Sequence, residues 1–234
     1  FASFFIFFFF LFVIYYLLTA WSMIGEIMKR EDMNKAMHTK IIESAIQEFN
    51  EKSYEKASMN HICQIGQISK GIIYHYFKDK DELYLECIKI CFETIVTYYQ
   101  DHLPLDMNQE ESMKIYMQLR MQFFEEYPQL RGLFFHTILR TPSHLKEEVK
   151  MIKTDFDVLN EDFIKHYLQS KKLRTGVSFE RALEYYKMMQ NTFNDYFRVQ
   201  IENGEPFDEI VEKHEEEMEN WIDIVLYGIA REEN

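Results

Sequence analysis

The stretch from Ser69 to Phe77 combines a helix cap, a buried stripe and a group of chemically different exposed side chains. Ser69 is a good N-cap, and Ile68 just before it can pack against Ile73, which pairs with Phe77 one turn later. The positions left on a separate face are Lys70, Gly71, Ile72, Tyr74 and His75. A cation, a residue without a side chain, a small apolar contact and two polar rings suit a helix end pressed against nucleic acid. An ordinary connecting helix is the alternative that these residues alone leave open.

The 234 residues contain no recognisable motif for catalysis or for binding a metal or cofactor. The sequence has no glycine-rich phosphate loop, no paired metal-ligand motif and no nucleophile elbow, so we expect neither an enzyme nor a resident metal or cofactor. Cys63, Cys87 and Cys91 form no disulfide framework, which fits a reducing cytoplasm. Cys87 and Cys91 are four residues apart and could sense oxidants or hold a soft metal, but buried reduced thiols are the simpler interpretation.

The neighbouring elements explain how the exposed face could be positioned. Residues 39–52 form a predicted first helix, because apolar side chains recur there every three or four residues. Ser58 can cap a second helix from Met59 to Ile65, and Gly66 closes it. A tight turn then leads to the helix that Ser69 caps, which makes a helix-turn-helix unit. Residues 28–38 are predicted to be a polar arm that either lies on phosphates or remains a solvated end.

Several blocks of this region resemble the DNA-binding domain of the TetR/AcrR family of bacterial repressors. The blocks are residues 41–49 (IIESAIQEF), residues 52–54 (KSY), residues 58–62 and residues 69–83 (SKGIIYHYFKDKDEL). The resemblance extends from Thr39 to Ile88. Two departures concern only the turns: Ser53 stands where the family usually has Gly, and residues 66–68 (GQI) replace the commoner Ala-Gly-Val.

The resemblance implies a role for each exposed residue of the unit. Gly71 and Ile72 would meet base edges in the major groove, where Gly allows close approach and Ile can touch a thymine methyl. The residues implied to hold phosphates are Ser58, Ser69, Lys70, Tyr74, His75 and Lys80. A capping or solvent-facing role is the alternative for each, above all for Ser58.

Charge divides the chain into two parts that suit this interpretation. Residues 28–80 hold 9 Lys and Arg against 7 Asp and Glu, whereas residues 81–234 hold 17 against 31, in a chain of net charge −13. A surface that faces phosphates is therefore expected in the basic part, because the acidic part would repel DNA.

The rest of the chain is predicted to be helical as well, since only 7 Gly and 4 Pro interrupt it and no segment alternates with period two. The predicted helices cover residues 84–100, 109–127, 129–140, 143–172, 179–203 and 208–231, with Ser178 and Asp208 as caps of the last two. The run of three Glu at 215–217 is interpreted as the solvated face of the last helix.

In the resembled family, the helices after the DNA-binding unit hold an effector and form the dimer. Aromatic and Met-rich positions at helical spacing are usually plain core, so only the resemblance suggests a pocket here. Its expected lining is Tyr116, Phe123, Phe124, Phe135, His136 and Phe156. The acidic charge favours a cationic lipophile. Broad apolar faces on the last two helices predict a homodimer, which would place two recognition helices about 34–36 Å apart on a palindromic site.

The first segment has a composition of its own, with apolar residues and no charge before Glu26. Its length matches a membrane span. Three features favour translated non-coding sequence instead: the first residue is Phe, the Phe repeats suit T-rich DNA, and Gly25-Glu26 can be encoded by a ribosome-binding sequence before Met28. We expect Met28 to be the true start, and a membrane contact only if residues 1–24 are genuinely translated.

The sequence thus predicts an all-α protein with a three-helix helix-turn-helix domain at residues 28–82 and a larger helical effector-binding and dimerisation domain at residues 83–234. Residues 1–27 are expected to be non-native upstream sequence, with a transmembrane helix as the alternative. The predicted function is a cytoplasmic, ligand-responsive repressor that binds double-stranded DNA and a small-molecule effector. The alternatives are a membrane-tethered regulator and a helical interaction protein that has lost DNA binding.

Overall fold

A computed structural model describes residues 28–104 and 111–229, and these residues are helical apart from short connections. The segment at residues 1–27, predicted to be upstream sequence or a membrane span, lies outside the described residues. Within the described ranges, no helix combines the length and apolar character needed to cross a membrane.

Three helices form the N-terminal head, as predicted. Helix α1 covers residues 28–51, α2 is Met59–Ile65 and α3 is Lys70–Tyr76. The prediction of a first helix beginning at residue 39 was too short, because residues 28–38 continue α1 as an exposed helical arm. The expected stripe is confirmed: Ile68, Ile73 and Phe77 are all at least 93% buried.

The turn between α2 and α3 has a geometry that its sequence did not suggest. Gly66 has an ordinary backbone conformation and is needed for close approach, since a Cβ there would lie 2.6 Å from the Ser44 hydroxyl of α1. The left-handed residue is Gln67, with φ of +48°. A side chain in this region is strained relative to glycine.

The body consists of seven further α-helices in the described residues. They are α4 (Lys80–His102), α5 (Ser112–Glu126), α6 (Pro128–Leu139), α7 (Lys146–Ile152), α8 (Thr154–Ser170), α9 (Phe179–Glu202) and α10 (Phe207–Ile229), with a 3-10 turn at Ser143–Leu145 before α7. Helix α4 packs against α5, α6, α7 and α8, and α9 pairs with α10. Apolar residues on more than one face of α4 explain its contacts with four helices, while one side remains exposed at Glu82, Lys89, Glu93, Thr97 and Gln100.

One predicted helix was wrong. Residues 143–172 form a 3-10 turn and two α-helices, with a break at Lys153. The Thr154 hydroxyl donates to the Lys150 carbonyl, an alternative to continuous helix bonding. The break lets both α7 and α8 pack on α4. The predicted cap Asp208 was also wrong, because α10 already begins at Phe207.

The head is joined to the body by close contacts of the backbone. The Gly132 amide in α6 donates to the Asn50 side chain near the end of α1, at 2.7 Å. A Cβ on Gly132 would lie 2.0 Å from the Asn50 carbonyl oxygen, so only glycine fits at this crossing.

A polar cluster forms a second joint between head and body. The Tyr54 hydroxyl donates to Asp81, whose other carboxylate oxygen lies 3.3 Å from His144 in the 3-10 turn. The hydrogen bond from Tyr54 holds the pKa of Asp81 below its ordinary value. These contacts fix the start of α4 to both domains.

Candidate nucleic-acid interface

Helix α3 presents one face to solvent, and this face is the one expected from the sequence. Lys70, Gly71 and His75 are exposed, and Ile72 and Tyr74 expose 38% and 51% of their surfaces. Ile73, on the opposite side, is fully buried. The structure therefore brings these five residues together on one surface, which we call the α3 face.

Gly71 is not required by the fold of the isolated chain. A Cβ built at this position meets no atom within 4 Å, and the residue lies inside a helix with ordinary dihedral angles. A helix interior normally disfavours glycine by about 1 kcal/mol relative to alanine. The α3 face thus gives up helix stability at the position where a partner backbone or base could approach most closely.

Two further predicted site residues serve as helix caps. The Ser58 hydroxyl accepts from the His61 amide at 3.1 Å, and the Ser69 hydroxyl accepts from the Ile72 amide at 3.4 Å. Both serines are exposed, so the capping role does not remove them from the surface. Their position at the starts of α2 and α3 also directs the free amides of both helices outwards.

A buried carboxylate that the sequence did not predict holds α2 against α1. Glu48 is fully buried and accepts hydrogen bonds from Lys52 at 2.8 Å, from His61 and from the Ser58 amide at 3.0 Å. Burial alone would raise the pKa of Glu48, but these hydrogen bonds outweigh it and hold the pKa below its ordinary value. The network orients the first turn of α2 and, through it, the α3 face.

Lys80 is set apart from the other predicted phosphate contacts. Its ammonium donates to the carbonyls of Tyr54 at 2.8 Å and Ala57 at 3.3 Å, and it lies 4.0 Å from the centre of the Tyr54 ring. These contacts tie the α1–α2 connection to the start of α4. Lys80 therefore has a structural role in the head beside the phosphate role predicted for it.

The helical arm of α1 lies against the end of α3. The Tyr76 hydroxyl donates to Asn34, and the His38 ring packs on the rings of Tyr76 and Phe77 at centroid distances of 6.1 and 5.4 Å. Lys35 and Lys40 are exposed on this arm. The basic residues of the arm and the α3 face thus belong to one rigid unit.

Comparison with known proteins agrees with this geometry. Residues 41–87 match the family model described as bacterial regulatory proteins, tetR family. The chain is 24% identical over 136 residues to the biofilm operon icaADBC HTH-type negative transcriptional regulator IcaR of Staphylococcus epidermidis, covering 56% of this chain and 69% of IcaR. IcaR of Staphylococcus aureus strain Newman is 24% identical over 149 residues, covering 63% and 78%. Residues 41–87 therefore belong to the tetR family of bacterial regulatory proteins.

Solved TetR-family structures share the fold over most of the chain. A TetR family regulator from Chloroflexus aurantiacus superposes with a TM-score of 0.55 at 18% identity, covering 85% of this chain and 95% of that one. FadR from Bacillus subtilis, solved in complex with stearoyl-CoA, gives a TM-score of 0.58 at 14% identity and covers 82% and 99%. The predicted fold class, a helix-turn-helix head followed by a larger helical body, is confirmed.

The body contains a cavity of about 480 Å³ between α5, α6, α7, α8, α9 and α10. Of the six residues predicted to line an effector pocket, Tyr116 and Phe156 lie in its wall. The structure places the other four, Phe123, Phe124, Phe135 and His136, outside this wall and in the packed core. Ring contacts surround Phe123, Phe124 and Phe135, while His136 stacks on Phe207 with centroids 3.7 Å apart.

A buried ion pair beside the cavity corrects the interpretation of the Glu run. Glu215 accepts from the Arg120 guanidinium at 3.0 and 3.2 Å, and Arg120 is 97% buried among the rings of Phe124, Phe134 and Phe135. Burial alone would raise the pKa of Glu215, but Arg120 holds it well below its ordinary value. Only Glu216 and Glu217 are exposed as predicted.

The thiols and histidines offer little further chemistry in the described residues. Cys63, Cys87 and Cys91 are buried, and burial raises the pKa of the Cys87 and Cys91 thiols, which makes them poor nucleophiles. No group of three or more metal-ligating side chains occurs in the part of the chain that the structure describes.

Proposed function

We propose that this TetR-family regulator represses transcription as a homodimer on a palindromic operator, and that a small molecule in the body cavity weakens its DNA binding. The α3 face supports the DNA contact most directly. It is exposed and basic, it is fixed by the Glu48 network, and it holds Gly71 at a position where the fold has no need of glycine. We place this activity in the cytoplasm.

Base and phosphate contacts are divided along α3. Gly71 and Ile72, in its first turn, lie where a helix in the major groove meets base edges. Lys70, Tyr74 and His75 flank them and are proposed to hold phosphates, together with Ser58 and Ser69 at the helix starts. Lys80 contributes to this interface through its contacts within the head and through its charge.

A stripe on α9 supports the dimer. Tyr185, Met188, Met189, Tyr196 and Val199 recur at helical spacing and expose between 39% and 64% of their surfaces, and Ile224 of α10 exposes 72%. A contiguous apolar surface of this kind on paired helices suits a four-helix interface with a second copy. The twofold axis of such a dimer would set the spacing of the two α3 faces.

Selection from random DNA duplexes, followed by footprinting on the gene's own upstream region, tests the proposed function. We expect the selected sites to be palindromes with half-sites one helical turn apart. Lys70→Ala and Tyr74→Ala should weaken binding to the selected duplex by roughly tenfold or more, since each removes a phosphate contact. Lys172→Ala, an exposed lysine of the body, is the matched control and should leave the affinity unchanged.

The opposite result would favour the helical interaction protein that has lost DNA binding. In that case no sequence would be enriched, and the α3 variants would behave like the control. Sedimentation tests the dimer separately: Tyr196→Glu should produce monomers at micromolar concentration, while Gln169→Glu on the exposed side of α8 should not. A wild-type monomer at that concentration would contradict the proposed dimer.

A further inference from the structure

The cavity wall is divided into an apolar part and a charged part. Phe134 and Ile138 of α6, Phe156 of α8, Leu183 of α9 and Met218 of α10 supply apolar surface. A cavity of this size and lining is suited to a small organic molecule.

The charged part of the wall is dominated by lysines. Lys150 of α7, Lys153 at the break between α7 and α8, and Lys187 of α9 all line the cavity. Two of these lysines form ion pairs: Lys153 Nζ lies 3.5 Å from Asp157 Oδ1, and Lys187 Nζ lies 2.5 Å from Glu161 Oε2. Lys150 forms no ion pair with any of the described residues. The wall therefore has an excess of positive charge, although the body as a whole is acidic.

The remaining charge beside the cavity is already neutralised. Arg120 lines the wall, but its guanidinium is held by Glu215 through hydrogen bonds of 3.0 and 3.2 Å. Replacing that partner would require breaking a buried pair, which is costly. A bound negative charge would accordingly be held by Lys150 and Lys153 and not by Arg120.

The cavity wall also includes the amide side chain of Asn160. Its buried side-chain oxygen has no hydrogen-bond partner among the described residues. Such a group costs free energy unless a ligand or water satisfies it. The amide can accept from a ligand hydroxyl, or after rotation donate to a ligand oxygen.

We infer that the effector of this cavity is an amphipathic anion, a molecule with an apolar body and one carboxylate or phosphate group. This inference rests on the proposed effector role of the cavity. The apolar body would lie between Phe134, Phe156 and Met218, and the anionic group would lie beside Lys150 with Lys153 and Lys187 in reach. The sequence-based expectation of a cationic lipophile took account of the total charge of the body, whereas the local charge of the wall has the opposite sign.

Calorimetric titration of the full chain with decanoate, decanol and decylammonium tests the class of ligand, because the three share one apolar chain. We expect decanoate to bind at least about tenfold more tightly than decanol, and decylammonium to bind most weakly. Lys150→Gln should weaken decanoate binding roughly three- to fivefold and leave decanol unchanged. Asp157→Asn should strengthen decanoate binding, because it frees Lys153 from its partner.

Lys146→Gln is the matched control, since Lys146 is exposed one turn before Lys150 on α7 and does not line the cavity. Equal binding of decanoate and decylammonium, or tighter binding of the cation, would overturn the inference, as would an equal effect of the two lysine variants. Titrations without DNA separate this outcome from the proposed function. If decanoate binds as expected but leaves operator affinity unchanged, the ligand class stands and the regulatory coupling fails. If no probe binds while the operator is still recognised, the ligand class alone fails.

Discussion

Single residues differ in whether the fold requires them. Gly66 and Gly132 are required by the fold, because a side chain at either position would collide with α1. Gly71 has open space around it, so the fold of the isolated chain does not require glycine at this position. Gln67 accepts a backbone strain that glycine would avoid. Stability and DNA binding should therefore respond differently at these positions.

Gly71→Ala is expected to separate stability from recognition. The added methyl meets nothing in the free protein, and alanine favours the helix, so the free energy of unfolding should rise by up to about 1 kcal/mol. The same methyl would lie between α3 and a base edge, so operator affinity should fall at least about tenfold. Chemical denaturation and a DNA-binding titration measure the two effects. Unchanged affinity would show that DNA does not approach this position.

Gln67→Gly is expected to stabilise the head. Relief of the left-handed strain, about 1–2 kcal/mol, exceeds the extra chain entropy that glycine loses on folding, so we expect a net gain of about 0.5–1 kcal/mol. Gln47→Gly provides the control, since Gln47 is an exposed residue inside α1 and should lose about 1 kcal/mol. Thermal denaturation of both variants distinguishes the two signs. A loss of stability at residue 67 would mean that its side chain contributes more than its backbone costs.

The residues that could be predicted from the sequence are those set by local spacing. The caps Ser58 and Ser69 and the buried stripe of α3 depend only on neighbours within one helical turn, and all were confirmed. The Glu48 network joins residues up to 13 apart in sequence, so it depends on how two helices cross. An acidic residue among the apolar positions of α1, between Ala45 and Phe49, was the available indication.

Helices were predicted more reliably than the joints between them. Every long apolar period gave a helix, but the break at Lys153 has neither Gly nor Pro to mark it. The crossing of α1 and α6 at Gly132 could not be predicted either, because it depends on the docking of two domains. The crossing at Gly132 is one of the contacts that connect the body to the head.

Gly132→Ala should test the joint between head and body. A methyl placed 2.0 Å from the Asn50 carbonyl oxygen forces α6 away from α1, and we expect a loss of about 2 kcal/mol or more in unfolding free energy. Operator affinity should also fall, although the residue is far in sequence from the α3 face. Asn50→Ala removes the hydrogen bond without adding bulk and should cost about 1 kcal/mol. If both variants lost equal stability, close packing would not be the reason for this glycine.

For the whole molecule, the uneven charge and the buried histidines determine the response to pH. The division into a basic head and an acidic body was evident from the sequence. The cavity was less predictable, because aromatic side chains at helical spacing do not reveal which of them border empty space. Tyr116 and Phe156 border it, whereas Phe123, Phe124 and Phe135 fill the core. Nothing in the sequence indicated that the His136 side chain is buried.

The stability of the protein is expected to fall below pH 6.5 because of His136. Burial lowers the pKa of His136 to about 3, and neither ring nitrogen has a hydrogen-bond partner among the described residues. The unfolded chain therefore binds a proton between pH 6.5 and about 3 that the folded chain does not, and stability declines as the pH falls. Between pH 7 and pH 5 this one group should account for about 2 kcal/mol.

His136→Phe keeps the stack on Phe207 and removes the titration. Between pH 7 and pH 5, the unfolding free energy of this variant should change by about 2 kcal/mol less than that of the wild type, because the contribution of His136 is removed. Denaturant titrations at the two pH values measure this difference. The carboxylates with lowered pKa, among them Glu48, Asp81 and Glu215, lose their contributions only at lower pH, so they do not obscure the comparison. If the unfolding free energies of the two proteins changed equally between pH 7 and pH 5, His136 would be protonated in the folded state.

The pair of Arg120 and Glu215 also limits how such a sequence can evolve. A change at either position alone leaves a charge buried without its partner, a loss of about 3–5 kcal/mol, which is comparable to the whole stability margin of many domains. A change of both to apolar residues can be nearly neutral. Among descendants of this chain, we expect the two positions to be substituted together, 95 residues apart in sequence. An intermediate with one of them replaced should survive only where another substitution has first raised the stability.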